Sequence, residues 1–365
     1  MKKLLTVLLV FALAFSLFAC EKEPATTSSV ESTEQTSSAD IALEEKIVTP
    51  EKTDVLRGGR SYEFNELCWA GSNYEFQCTG TKVGATITAQ SGKIEVSIDK
   101  GEYKAISLKN GTHEYIFAEN LSDDTHTVRI LRTDDTWTPA IKIDNIILSG
   151  NGNIIKDYKG DYKLKIEFVG DSLTSGLGVN HSQCYTTLVA DMLSAHFNVV
   201  SRTSKGLYID AHYEDKGGLI KLYRSTVEGG AEDKPYNYNA DLVVLNIGAN
   251  DFGNLLFEMT DPQAKKDYLA EFDRRYEEIL DELLISNPNA AILCVYGQVP
   301  AIDSPELEAH IKTAVKKYAA AHPEVKIDLF EFQNMFDESQ GHPGVKSHQR
   351  DAQTLAMKIK KFLEI

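Results

Sequence analysis

The chain has 365 residues and a formal net charge of −16, and no basic patch stands out in it. Nucleic acid binds proteins through clustered lysines and arginines and is therefore not an expected partner, whereas a neutral glycan is compatible with this charge. Beyond an N-terminal leader and a polar stretch, about 310 residues remain, and a chain of that length predicts two domains.

Residues 1–20 are predicted to be an export signal. Lys2 and Lys3 precede an apolar run that closes in Leu-Phe-Ala-Cys at Cys20, which is the layout of a secretory signal. The run is shorter than the roughly 20 apolar residues of a membrane-spanning helix. It resembles a bacterial lipoprotein signal, which implies lipidation of Cys20 and anchoring to the cell surface or the periplasmic face of a membrane. An ordinary signal peptide or a bare N-terminal anchor is the alternative.

Residues 21–52 are predicted to be a flexible linker. Ala25 to Ser38 is rich in Ser, Thr and Glu and poor in apolar residues. Such a segment buries too little surface to offset the entropy lost on ordering. It would tether a folded body at a distance from a membrane.

Residues 53–152 show the pattern of antiparallel strands. Ile94, Val96 and Ile98 alternate with charged and polar residues, and glycines and Asn-Gly pairs separate runs of this kind. A period of two with frequent turns is typical of half-buried strands. Several short strands at this spacing predict a β-sandwich of the jelly-roll type.

Residues 160–365 alternate short apolar runs with helical stretches. The apolar runs are Leu164 to Val169, Phe197 to Val200, Leu242 to Ile247, Ala291 to Tyr296 and Val325 to Phe330. Strands that alternate with helices predict a three-layer α/β/α domain with a five-stranded parallel sheet. Ligands bind such sheets beyond the carboxyl ends of the strands, so chemistry is expected just after each run.

Four short motifs follow the first, second, third and fifth of these strands. They are Gly170-Asp171-Ser172, Gly206-Leu207, Gly248-Ala249-Asn250 and Gly341-His342-Pro343. Ser172, between a strand and a helix, is the candidate nucleophile, with its own amide as an oxyanion donor. The amide of Gly206 and the side chain of Asn250 are further candidate donors, and His342 is the candidate base. A helix cap, a turn glycine and an Asx-turn are the alternative explanations of the first three motifs.

In their order and context these motifs resemble the SGNH (GDSL) hydrolase superfamily, over about residues 163–365. The β-sandwich that precedes them, the Gly206-Leu207 pair and the second histidine, His348, make the chain similar to carbohydrate esterase family 2. The resemblance implies a jelly-roll domain followed by an SGNH domain. It also implies a serine esterase that removes O-acetyl groups from cell-wall polysaccharides, such as xylan or glucomannan, through an acetyl-enzyme intermediate.

The histidine motif departs from the superfamily pattern at one position. Many members carry an aspartate three residues before the histidine, where this chain has Ser339. Either Asp337 or a backbone carbonyl would then orient His342, and we favour the carbonyl because some members of the esterase family work as a Ser-His dyad. His348 is expected to be structural, since one imidazole is enough for the acid–base role.

Other functions remain open at this stage. The same catalytic set would serve a lipid or thioester substrate, or acetyl groups on bacterial surface glycans. From a different class, the chain would be a non-catalytic glycan-binding surface lipoprotein. We expect a monomer. No metal or other cofactor is expected, because CxxC, HExxH and clustered His/Cys motifs are missing from the sequence.

Several single residues have two interpretations. A disulfide between Cys68 and Cys78 would link the two strands of a hairpin, but their spacing does not establish one. Trp69 and Trp137 either stack on sugar rings or belong to a core, where aromatic residues dominate the buried area. The remaining candidates for substrate contact, each also explained by packing, are Tyr185, Tyr208 and Asp210.

Overall fold

The computed structural model describes residues 44–134, 139–211, 218–227, 230, 236–300, 302 and 305–365. The predicted signal, the lipidation site at Cys20, most of the predicted linker and Trp137 lie outside these ranges. In the described part of the chain, no helix combines the length and the apolar character that crossing a membrane requires.

The N-terminal part is a sandwich of two antiparallel five-stranded sheets. Its strands are β1 (Glu45–Val48), β2 (Val55–Gly58), β3 (Glu66–Leu67), β4 (Asn73–Thr79), β5 (Lys82–Ala89), β6 (Lys93–Ile98), β7 (Lys104–Ser107), β8 (Gly111–Glu119), β9 (Thr125–Arg132) and β10 (Ile141–Ser149). One sheet has the order β1-β10-β5-β8 with β3 also paired to β10, and the other has the order β2-β4-β9-β6-β7. The alternating apolar residues meet between the sheets, as the period of two predicts.

The sandwich begins earlier than the sequence suggests. Strand β1 pairs with the last strand of the sandwich, from Glu45 opposite Ser149 to Val48 opposite Ile146. The predicted linker over residues 21–52 therefore extends too far, because its final residues belong to a sheet. Their alternation is short and partly exposed, so the sequence gives little sign of pairing.

The C-terminal part is a parallel sheet between two layers of helices. Its strands are β11 (Leu164–Gly170), β12 (Ala195–Ser201), β13 (Leu242–Asn246), β14 (Ala291–Tyr296) and β15 (Ile327–Glu331). The helices are α1 (Ser172–Ser175), α2 (Tyr185–Met192), α3 (Gly218–Tyr223), α4 (Ala249–Phe257), α5 (Pro262–Ser286), α6 (Pro305–Ala321) and α7 (Val345–Leu363), and a hairpin of β16 (Glu338–Ser339) and β17 (His342–Pro343) precedes α7. The strand order is β12-β11-β13-β14-β15. Strands β12, β13 and β14 are buried along their whole length, and burial on both faces explains the mainly apolar sequences of β13 and β14.

The sandwich packs closely on the α/β sheet. Trp69 is fully buried in the core on one face of that sheet, and its indole N–H donates to the carbonyl of Thr226. Arg60, also from the sandwich and also fully buried, forms an ion pair with Glu167 of β11 at 3.3 Å. Residues 43–365 accordingly form one compact unit. Of the two interpretations of Trp69, the structure supports the core residue.

Candidate active site

The first motif forms a tight turn between β11 and α1. Gly170 ends the strand, and a Cβ atom there would lie 2.3 Å from Oγ1 of Thr174 and 2.4 Å from the carbonyl oxygen of Asn246. Only glycine fits such a close approach. Asp171 then caps α1 by accepting the amide of Leu173 at 3.0 Å. The turn leaves Ser172 as the first residue of the helix, with 6% of its surface exposed.

Ser172 and His342 meet at the carboxyl edge of the sheet. Nε2 of His342 lies 2.8 Å from Oγ of Ser172, although the two residues are 170 positions apart in the chain. Nδ1 of His342 lies 3.0 Å from the carbonyl oxygen of Gln340. A carbonyl only accepts, so Nδ1 carries the proton and Nε2 is left to accept the proton of the serine hydroxyl. This is the geometry of a nucleophile beside its general base.

The hairpin of β16 and β17 holds His342 in this position. Gln340 and Gly341, at its turn, have φ angles of 54° and 74°, the positive values that a two-residue turn of type I′ requires. Ser339 pairs with His342 across the hairpin, and its hydroxyl donates to the carbonyl of Gly178 at 2.7 Å. The serine that replaces the usual aspartate therefore fastens the hairpin to the loop after α1.

Asp337 is directed away from the imidazole. Its carboxylate accepts the amides of Lys346 at 3.0 Å and Ser347 at 2.7 Å. These amides open α7, whose N-cap residue is Gly344 and offers no side chain. Burial alone would raise the pKa of Asp337, but hydrogen bonds from the Ser347 hydroxyl and from these amides hold it below its usual value. Asp337 is a cap for α7, and the carbonyl of Gln340 is the partner of His342.

Asn250 lies beside the nucleophile motif. Gly248, with a φ of 120°, makes the turn that begins α4, and few other residues tolerate that conformation. The side-chain amide of Asn250 donates to the carbonyl of Lys205 at 2.8 Å and lies 3.4 Å from Oδ2 of Asp171. The structure thus brings three of the predicted site residues together: Ser172, Asn250 and His342.

The amide of Gly206 has a partner within its own loop. It donates to Oδ1 of Asp210 at 3.1 Å, and its role as an oxyanion donor stays a prediction. A Cβ at this position would lie 2.0 Å from the carbonyl oxygen of Ile209. Close packing of the loop therefore requires glycine at this position, in agreement with its interpretation as a turn residue. Asp210 is a structural partner of Gly206 and also forms an ion pair with Lys205.

Two buried carboxyl groups near the site were not singled out by the sequence. Burial raises the pKa of Asp171 to about 7 and the charge of Asp251 adds to this. Burial likewise raises the pKa of Asp251 to about 6, against the opposing effect of the amides it accepts. Strongly perturbed carboxyl groups are concentrated at functional sites. The only sequence signal was their adjacency to Ser172 and Asn250.

The second histidine, His348, and Tyr185 have packing roles. His348 is buried, accepts the amide of Tyr185 at 3.3 Å through Nδ1 and stacks on the ring of Tyr185. Burial lowers the pKa of His348 to about 4, so it is neutral at pH 7, as expected of a structural residue. Tyr185 is fully buried, and Tyr208 is partly covered by Tyr268 and Arg275.

The four described cysteines are free. Cys78 is buried in the core of the sandwich, whereas Cys68 packs against the core of the α/β domain. The two belong to different cores, which excludes the hairpin staple in this structure. Within the described residues, no group of three or more His, Cys, Asp or Glu side chains is arranged to hold a metal ion.

Cavities of different size lie at opposite edges of the sheet in the described part of the chain. A recess of about 20 Å³ adjoins the site, and its apolar lining includes Leu173, Ile247, Ala249, Val299, Ile302 and Leu307. A larger cavity of about 270 Å³ lies beside Glu75, Arg129 and Ser194. Ser194 precedes β12, so this cavity is at the amino edge, away from Ser172. We connect only the small recess with the candidate site.

Comparison with known proteins agrees with this architecture. The model of the GDSL-like lipase/acylhydrolase family matches residues 168–350, and that of the carbohydrate esterase 2 N-terminal domain matches residues 59–156. Cellulase/esterase CelE of Acetivibrio thermocellus is 23% identical over 345 residues, which cover 86% of this chain and 40% of that protein. The chain therefore spans less than half the length of this relative.

Solved structures share the fold across both parts of the chain. A family two carbohydrate esterase from Clostridium thermocellum, in complex with cellohexaose, has a TM-score of 0.75 at 21% identity and covers 85% of this chain and 99% of its own. An acetyl xylan esterase from the rumen bacterium Butyrivibrio proteoclasticus has a TM-score of 0.77 at 19% identity, with coverages of 88% and 100%. The sandwich followed by the α/β domain is thus a recurring arrangement.

Proposed function

Since the chain belongs to the GDSL-like lipase/acylhydrolase family, we propose that it is a serine esterase that removes O-acetyl groups from cell-wall polysaccharides. The observation that carries the proposal is the 2.8 Å hydrogen bond between Ser172 and His342, with the imidazole oriented by a carbonyl. The polysaccharide part rests on the likeness to carbohydrate esterases, in both the N-terminal domain match and the relatives.

The mechanism follows from these contacts. His342 takes the proton of Ser172 as Oγ attacks the acetyl carbonyl, and it then protonates the departing sugar oxygen. The tetrahedral oxyanion is stabilised by the amide of Ser172 and the side-chain amide of Asn250. Water, activated by the same imidazole, then releases acetate from the acetyl-enzyme and restores the serine.

A small recess near the proposed site is compatible with an acetyl group. It adjoins Leu173 and Ala249, the neighbours of the nucleophile and of the oxyanion donor, and its volume is about 20 Å³. A cavity needs roughly 10–15 Å³ by this measure to hold one water molecule. The recess therefore has room for a group the size of a methyl.

Release of acetate from acetylated xylan and acetylated glucomannan, beside hydrolysis of a long-chain ester, tests the proposal. We expect acetate release by the wild-type protein and none by Ser172→Ala, with the two proteins equally folded by circular dichroism. Turnover of the long-chain ester alone would favour a lipase. Full activity of Ser172→Ala would remove the nucleophile from the mechanism, and an inactive wild-type protein that retains glycan binding would favour a non-catalytic role.

We further propose that the mature protein is exported, acts as a monomer and is anchored by lipid at Cys20. The support is the leader, with Cys20 at the point where the apolar run meets the polar linker. Mass spectrometry of the N-terminal peptide from a membrane fraction, with Cys20→Ala as the control, tests the anchor. An unmodified cysteine in membrane-bound protein would contradict it.

A further inference from the structure

The loop after β12 is held by the polar side chains of a single helix. Asn250, at the start of α4, donates to the carbonyl of Lys205. One residue on, Asp251 accepts backbone amides of this loop. One turn further, Asn254 donates to the carbonyl of Asp210 at 3.0 Å. The conformation of the loop therefore depends on α4 as well as on the contacts of Asp210 within the loop.

Asp251 makes the largest share of these contacts. Its Oδ2 accepts the amide of Leu207 at 2.6 Å, and its Oδ1 accepts the amides of Tyr208 at 2.9 Å and Ile209 at 3.3 Å. The phenol of Tyr268 donates to the same Oδ1 at 3.2 Å. The residue has no exposed surface. A fully buried carboxylate with four donors directed at it fixes three consecutive peptide groups, because hydrogen bonds to an ionised acceptor are the strong ones.

The peptide groups of residues 207–209 are connected to the candidate oxyanion site through Lys205, which precedes them in the same loop. A side-chain amide has two N–H groups. One N–H of Asn250 is taken by the carbonyl of Lys205 at 2.8 Å, and this contact sets the rotation of the amide. The other contact of the amide, to Asp171, is 3.4 Å long, well beyond the usual ~2.9–3.0 Å. The second N–H is therefore available to an oxyanion forming on the carbon that Ser172 attacks.

We infer that Asp251 is a positioning residue of the proposed esterase: it holds the loop so that the carbonyl of Lys205 orients Asn250 toward the oxyanion. Asp251 itself touches neither the substrate nor the reacting atoms. The inference rests on the proposed function, and it adds a residue whose effect appears in the transition state and not in substrate binding. A donor misplaced by about 1 Å can cost ~10²-fold in rate.

The variant Asp251→Asn tests this role. The amide keeps the shape of the side chain but replaces one acceptor oxygen with a donor that faces a backbone N–H. We expect kcat for a chromogenic acetate to fall roughly 10²-fold at a KM within about threefold of wild type. Affinity for a small boronic acid, whose adduct on Ser172 is an anionic tetrahedron, should fall in parallel. The rates are taken per serine labelled by a fluorophosphonate, so a smaller folded fraction does not mimic the effect.

Tyr268→Phe is the matched control, because it removes one donor to Asp251 and leaves the three amides in place. Its kcat should stay within about threefold of wild type. A kcat of folded Asp251→Asn within that same range would overturn the inference, as would a tenfold rise in KM at unchanged kcat.

A fallback variant covers the case in which Asp251→Asn does not fold. Asn254→Ala loosens the same loop at Asp210 and should lower kcat about tenfold at unchanged KM, and wild-type kcat in this variant would overturn the inference. An inactive, unlabelled wild-type protein would overturn the proposed function and this inference together. An active wild-type protein with unaffected variants overturns the inference alone.

Discussion

Replacing Asp337 with asparagine distinguishes a dyad from a triad. In a triad, exchanging the orienting carboxylate for an amide lowers kcat by roughly 10⁴-fold. Here the carboxylate accepts the amides of Lys346 and Ser347, while the proton on Nδ1 of His342 is donated to the carbonyl of Gln340 at 3.0 Å. We therefore expect Asp337→Asn to keep kcat within about tenfold of wild type, a difference of about three orders of magnitude or more from the triad value.

The stability of this variant gives a second measurement. Asparagine is a good N-cap but loses the charge that interacts with the helix dipole, so the free energy of unfolding should fall by about 1 kcal/mol. Urea unfolding followed by circular dichroism measures this change, and chromogenic acetate turnover measures kcat. A loss of three or more orders of magnitude in kcat, in protein that unfolds at nearly the wild-type urea concentration, would show that Asp337 serves the imidazole after all.

Three further predictions concern the site and its support. Asn250→Ala should lower kcat ~10²–10³-fold with the fold intact, and near wild-type turnover in a steady-state assay would exclude Asn250 as a donor. Asp171→Asn should stabilise the protein at pH 8 and not at pH 3.5. The pKa of Asp171 is about 7 in the folded protein and 3.8 in the unfolded chain, so the contribution of Asp171 to folding stability is fully present below pH 3.8 and is lost as the pH rises through 7. The effect is on the order of a few kcal/mol. Urea unfolding at the two pH values measures it, and equal shifts at both would contradict it. Arg60→Met should lower the free energy of unfolding, measured in urea, by about 3–5 kcal/mol, because it leaves Glu167 charged and buried. A loss below about 1 kcal/mol would show that the hydrogen bonds from Asn198 and Tyr223 stabilise Glu167 without the ion pair.

The sheet and the nucleophile–base pair were predictable for one physical reason. Strands buried on both faces are rich in apolar residues, as in β13 and β14, so their positions along the chain are visible in the sequence. Once the strands are parallel, their carboxyl ends share one edge, and residues far apart in the chain are brought together there. This topology brings Ser172 and His342 to the same edge, and the β16–β17 hairpin completes their contact.

The direction of single hydrogen bonds was not predictable. A glycine after a strand has the same signal whether its amide faces a substrate or a neighbouring side chain, and nothing in the sequence indicates that the amide of Gly206 donates to Asp210. The partner of His342 was left open for a similar reason, because both a carboxylate and a carbonyl lie within a few residues. Asp251 went unnoticed because its contacts are with backbone amides, which carry no side-chain signature in a sequence.

The burial of Trp69 has a consequence for how the two parts depend on each other. A side chain from the sandwich completes the interior of the neighbouring α/β layer, so the catalytic half expressed alone would have a hole the size of an indole in its hydrophobic centre. Deleting a buried tryptophan side chain costs about 3–5 kcal/mol, a large part of the 5–15 kcal/mol that keeps a typical domain folded. The two halves are thus not exchangeable modules: heating should melt them in one cooperative step, and grafting the hydrolase onto another carrier would require its exposed underside to be redesigned.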